Sequence, residues 1–131
     1  MDAEKIAENK IIAQLERLGL KADHVETGVD GFPDIFVSGE QVALVEMKAC
    51  RIYDFLKDVM ESSQPVFMYN VQRAGNKRVY LCVWDGEKFY LYGTYAILPI
   101  TMNGGRVYDL PLVADGQAQE IAETIRGICN G

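Results

Sequence analysis

Histidine is nearly missing from this sequence: His24 stands alone among 131 residues. Cysteine is scarce as well, and Cys50, Cys82 and Cys129 match no metal-ligand spacing and form no even disulfide set. His24 therefore has no partner with which to complete a zinc site and reads as a surface or strand residue. Positive charge is in deficit, with 13 Lys and Arg against 19 Asp and Glu and a net charge of −6. That balance counts against a protein that grips nucleic acid by indiscriminate phosphate attraction, because such proteins are usually basic. No apolar run approaches the length of a membrane span. The opening MDAEKIAENK is polar and acidic, unlike a signal peptide, so a reduced, cytoplasmic setting is expected. Repeats, low-complexity segments and linkers are also lacking, which points to a single domain over residues 1–131.

What is present alternates between helical and extended patterns. Residues 2–18 predict an amphipathic helix with Ile6, Ile11, Ile12, Leu15 and Leu18 on its apolar face, Asp2 as cap and Gly19 as stop. A short strand is expected over 21–28, then two strands over 34–38 and 42–48. Residues 49–63 read as a short helix or an irregular crossover. Ser62-Ser63-Gln64-Pro65 signals a helix start and Gly75 its end, although VFMYNV also has strand propensity. VYLCVW (79–84) and KFYLY (88–92) predict a hairpin over Asp85-Gly86-Glu87. Residues 93–113 read as a loop-rich extension with one or two short strands, and 116–129 as a last amphipathic helix. The expected class is α/β, a mixed sheet flanked by helices.

Within this pattern the stretch GFPDIFVSGEQVALVEMK, Gly31 to Lys48, places ionisable groups inside sequence that otherwise reads as buried strand. Ionised side chains are costly to bury unless they are paired or hold a metal. Alternation puts Glu46 and Lys48 on one face. A three-residue loop centred on Glu40 places Asp34 opposite Glu46 on that same face, whereas a loop of even length places the two acids on opposite faces. Gly39 suits a turn needing a positive φ. With the odd loop, two carboxylates and an ammonium converge. Two hard oxygen ligands suit Mg²⁺ or Mn²⁺, and the ammonium can orient a water or stabilise charge on a phosphate.

The PD, apolar spacer and E-x-K of Pro33-Asp34 and Glu46-Met47-Lys48 resemble the PD-(D/E)xK nuclease superfamily. The glycine ahead of the motif, in Gly31-Phe32-Pro33-Asp34, looks most like its VRR-NUC and Holliday junction resolvase branch. The resemblance covers about residues 4–92 and leaves 93–131 as an extension. It implies a restriction-endonuclease-like core and a metal-dependent DNA endonuclease, acting on branched DNA in its resolvase-like members, where a homodimer pairs two sites. It implies Asp34 and Glu46 as metal ligands, the Met47 carbonyl as a further ligand, and Lys48 as the catalytic lysine. An acid on the first helix often joins such sites, and Glu8 is the best match by position, although acids near a helix start also simply favour its dipole. A glutamine following E-x-K near a helix start matches Gln64.

Arg51 and Lys57, close after the motif, and the denser patch of Arg73, Lys77 and Arg78 are candidates for phosphate contacts, with solvated surface as the plain alternative. Cys50 reads as packed rather than reactive. RNA stays open as a substrate, because the motif reads phosphate and not sugar. A different class also stays open: a nuclease-like fold without activity that binds nucleic acid or, as the negative charge favours, a protein partner.

Overall fold

The computed structural model describes residues 2–131. The chain runs α1 (Ala3–Arg17), β1 (Lys21–His24), β2 (Ile35–Ser38), β3 (Val42–Ala49), α2 (Leu56–Val59), α3 (Ser63–Arg73), β4 (Val79–Trp84) and β5 (Phe89–Gly93). It continues through α4 (Ile97–Met102), a 3-10 turn (Val107–Asp109), β6 (Leu112–Gly116) and α5 (Ala118–Asn130). The six strands form one sheet whose spatial order is the chain order. Neighbours are antiparallel except β3 and β4, which are parallel. A parallel neighbour requires a crossover, and the segment carrying α2 and α3 supplies it. The protein is therefore α/β, with a mixed sheet flanked by helices.

Strand alternation divides the core in two. Ile35, Val37, Val45, Met47, Cys82 and Leu91 face α1 and α5, which bring Ile11, Leu15, Ile121 and Ile125. Leu44, Leu81, Val83 and Tyr92 face the other way, toward Leu56, Met68, Ile97 and Val107. Each fully buried aliphatic side chain contributes about 1.5–3 kcal/mol relative to exposure. No helix among the described residues is long and apolar enough to cross a membrane.

Most predicted elements recur with shifted ends. The first strand stops at His24, four residues short of the expected end at 28. The helix expected after Ser62 is a helix, but the Ser62 side chain makes no capping bond; Gln64 Oε1 instead accepts from Glu61 N–H at 2.9 Å. Residues 93–113 are more ordered than a loop-rich reading predicts, since they hold α4, whose Pro99 sits in the first turn where no intrahelical N–H bond is lost. Residues 112–130 extend the sheet and cover it, so the stretch beyond 93 belongs to the same core as the hairpin.

The two glycines of the hairpin region differ from each other. Gly31 adopts φ +82°, and a Cβ there would strike the Ser63 carbonyl. Gly39 has no positive φ, contrary to the expectation for its turn. Its reason is close approach: a Cβ would lie 2.9 Å from Cys129 Cβ, where the end of α5 closes on the hairpin.

Candidate functional site

The hairpin register has Ile35 opposite Val45 and Ser38 opposite Val42, leaving Gly39, Glu40 and Gln41 as the loop. That is the odd loop, and it carries Asp34 to the level of Glu46. The turn is tied to α5, with Glu40 N–H donating to Asn130 Oδ1 and Gln41 N–H to the Cys129 carbonyl, both at 2.9 Å. Slipping the register by one residue would break these bonds and expose Ile35 and Val37.

β3 outruns β2 by four residues, from Glu46 to Ala49. The N–H and C=O of one strand residue point to the same side. Leu44 N–H goes to the Arg78 carbonyl beside β4, so the even-numbered residues turn their backbone polar groups that way and the odd-numbered ones turn theirs toward β2. Past Ile35 there is no β2 to receive them, and buried N–H groups need partners. Carboxylates take the place of the missing strand. Met47 N–H donates to Asp34 Oδ2 at 3.0 Å, and Ala49 N–H donates to Glu4 at the start of α1. The Met47 carbonyl, on the same side as its N–H, is turned toward Asp34.

Glu4, Asp34 and Glu46 thereby converge, with one oxygen of each within 4.8 Å of the others. Glu46 is 1% exposed. Its Oε2 accepts from Gln64 Nε2 at 2.7 Å and lies 3.5 Å from Lys48 Nζ. The bond from Glu61 N–H fixes which end of the Gln64 amide is oxygen, so the amide nitrogen is aimed at Glu46. Glu46 Oε1 is buried with no hydrogen-bond partner. Burial, and then the charge of Asp34, push the Glu46 carboxyl up to about 9, while Lys48 opposes the shift. Burial also raises Glu4; Lys48 opposes this and Asp34 adds to it. The donor set is all oxygen, crowded with like charge and short of one partner. It fits a hard divalent cation, which needs carboxylates and bound water rather than nitrogen or sulfur.

The remaining predicted residues fall in three places. Glu8 lies one turn beyond Glu4 on the same face of α1 and bonds His24 Nδ1, with Lys5 Nζ 3.8 Å away. Glu4, not Glu8, is the α1 acid of the three-carboxylate cluster, while Glu8, also buried, still feels the Asp34 charge. Arg51 and Lys48 line a cleft of about 500 Å³ next to the cluster, and Arg51 Nη2 is 3.3 Å from Asp54 Oδ1. Lys57 lies over the Phe55 ring. Arg73, Lys77 and Arg78 sit at the other end of the sheet. Val79 pairs with Leu44, so this patch is four residues of β3 away from Lys48, roughly 13 Å along the strand. Arg73 there bonds the Tyr69 hydroxyl. Cys50 is half-buried, and burial, with Asp54 adding to it, pushes its thiol up to about 12, which agrees with a packed rather than a reactive role.

Two residues of the site were not legible beforehand. Glu4 and Glu8 are four apart and share a helix face, so the helical period alone does not separate them. Arg106, from the 93–113 stretch, lines the same cleft as Lys48, and no local pattern announces it.

No protein-family model matches the chain, and no curated protein matches it.

Proposed function

We propose that this protein is a metal-dependent DNA endonuclease with a restriction-endonuclease-like core of the PD-(D/E)xK kind. One observation carries the reading: Glu4, Asp34 and Glu46 converge beside Lys48, with a buried carboxylate oxygen left without a partner. Glu4, Asp34 and Glu46, with the Met47 carbonyl beside them, would hold Mg²⁺ or Mn²⁺. The bound ion would neutralise the like charges and acidify a coordinated water.

The chain's own residues do the rest. Lys48, 12% exposed at its side chain, is held by Glu46 so that its ammonium faces the cleft. There it orients the attacking water and steadies the charge that builds on the phosphate oxygens as the phosphodiester bond breaks. Gln64 keeps Glu46 in place, and the Met47 N–H does the same for Asp34. Because Glu46 is buried among apolar strand residues, the site is fixed before substrate arrives and pays little to organise itself.

Cleavage of matched linear, flap and four-way-junction DNA, and of RNA, in Mg²⁺, Mn²⁺ or EDTA tests the reading. Cutting is expected only with metal, and Lys48→Ala is expected to lose about 10²–10³ in rate, the size of effect seen when one charge-stabilising group is removed. A folded Lys48→Ala variant that cuts at the wild-type rate would overturn this mechanism. A folded wild type that cuts nothing would leave a binding module, which the net charge of −6 suits better with a protein partner than with DNA.

A further inference from the structure

Beyond the acidic cluster the cleft has a second wall, built from parts of the chain far apart in sequence. Residues 105–108 run alongside 52–56, outside the main sheet. Leu56 N–H donates to the Gly105 carbonyl, and Val107 N–H to the Asp54 carbonyl, both at 3.0 Å. Tyr108 N–H donates to the Ile52 carbonyl at 3.0 Å, and Phe55 and Arg106 form an isolated antiparallel bridge. Val107, fully buried, pins this ribbon to the core. Its backbone is therefore fixed, and what it presents to the cleft is fixed with it.

It presents Arg106 to the cleft beside Tyr53 and Phe55, and Tyr108, outside that lining, packs against Tyr53. The Arg106 guanidinium lies 4.1 Å from the Phe55 ring centroid and donates from Nη1 to the Tyr53 carbonyl at 2.7 Å. It forms no ion pair with a carboxylate among the described residues, although Asp54 and Asp58 also line the cleft. Asp54 is taken up by Arg51. Tyr53 is 64% exposed and Tyr108 47%, and their rings meet edge to face at 6.0 Å. Two large rings left in water beside a positioned, unpaired arginine suit a flat, apolar group joined to an anion. Stacked bases in a duplex have both faces covered already, so exposed rings of this kind serve unpaired ones.

We propose, resting on the nuclease reading, that this cleft holds an unpaired nucleotide of the DNA substrate, Arg106 taking its backbone phosphate and Tyr53, braced edge to face by Tyr108, stacking on its base. The substrate class is thereby DNA with a single-stranded segment at the cut, and the 93–131 stretch takes part in binding it.

Fluorescence anisotropy of labelled oligo-dT and of a blunt duplex of equal length, at low salt in EDTA, tests this without any cutting. The single strand is expected to bind at least about tenfold tighter than the duplex. Tyr53→Ala is expected to weaken single-strand binding about tenfold, while Tyr53→Phe, which keeps the ring, binds as wild type. Arg106→Gln is expected to reduce the slope of log affinity against log salt by about 0.7, one phosphate contact to a single strand. Thermal unfolding by circular dichroism checks each fold; if Tyr53→Ala proves unstable, Tyr108→Ala takes its place with the same expectation. Duplex binding as tight as single-strand binding, affinity indifferent to both tyrosines, or no binding of oligo-dT overturns the inference. The two readings fail separately: tyrosine-dependent binding without metal-dependent cutting sinks the nuclease alone, and cutting indifferent to both tyrosines sinks this inference alone.

Discussion

In the metal-free protein, burial and then the neighbouring Asp34 charge outweigh the pull of Lys48 and push the Glu46 carboxyl up to about 9. In the unfolded chain the same group ionises near its ordinary value of about 4.3. Between those two values the folded state holds one proton more than the unfolded state, so stability falls as pH rises through that window and is fully present only below it. The metal-free protein is expected to lose stability as pH rises from about 5 toward about 9. Glu46→Gln keeps the shape and the Gln64 and Lys48 neighbours but cannot ionise, so it flattens the profile and is more stable than wild type at alkaline pH. Urea unfolding in EDTA at several pH values reads both; a wild-type profile that is flat or rises across this range contradicts the assignment. A stabilising substitution at the centre of a site is what stored electrostatic strain predicts.

Among the elements, the hairpin was the most legible and the 93–113 stretch the least. Ile35 and Val37 alternate with Phe36 and Ser38, and this pattern with the three-residue loop fixes the register that aligns Asp34 with Glu46. The turn pattern marks Gly39, but its physical reason is the end of α5 closing over it, a contact across 90 residues of sequence that no local signal carries. α4 escaped because a proline in a short apolar run reads as a breaker, yet in a first turn it is harmless. The choice of Glu4 over Glu8 depends on how far α1 slides along the sheet, a matter of packing and not of pattern. α5 illustrates the consequence for stability. Ile125 is fully buried against the sheet and α1, so Ile125→Ala is expected to cost about 2–5 kcal/mol in chemical denaturation. A change under about 1 kcal/mol would mean that α5 is not an integral part of the core.

Over the whole molecule, the one parallel step in the sheet sets where the acidic cluster and its cleft lie. β3 and β4 both run toward Lys48 and Trp84, and the cleft opens beyond those carboxyl ends, the usual location of sites in open α/β sheets. The crossover returns α3 across the sheet, so Gln64 at its start meets Glu46 while Arg73 at its end is carried to the far edge. This divides the charge: acids and Lys48 at one end, the Arg73–Arg78 patch at the other. A net charge of −6 is then a property of the average, and the cleft sets Lys48, Arg51 and Arg106 against Glu4, Asp54 and Asp58. Order along the chain made the strands readable, but the distribution of charge between the two ends follows from the crossover, which only the folded chain displays.

Whether Glu4, Asp34 and Glu46 hold a divalent cation, as proposed, is read by titration of Mn²⁺ followed by electron paramagnetic resonance, with wild type beside Glu4→Gln, Glu8→Gln and Asp34→Ala. Saturable binding is expected, which Asp34→Ala abolishes and Glu4→Gln weakens at least about tenfold, while Glu8→Gln stays within about twofold of wild type. Saturable binding unaffected by Asp34→Ala, or no binding by a folded wild-type protein, would contradict the proposal.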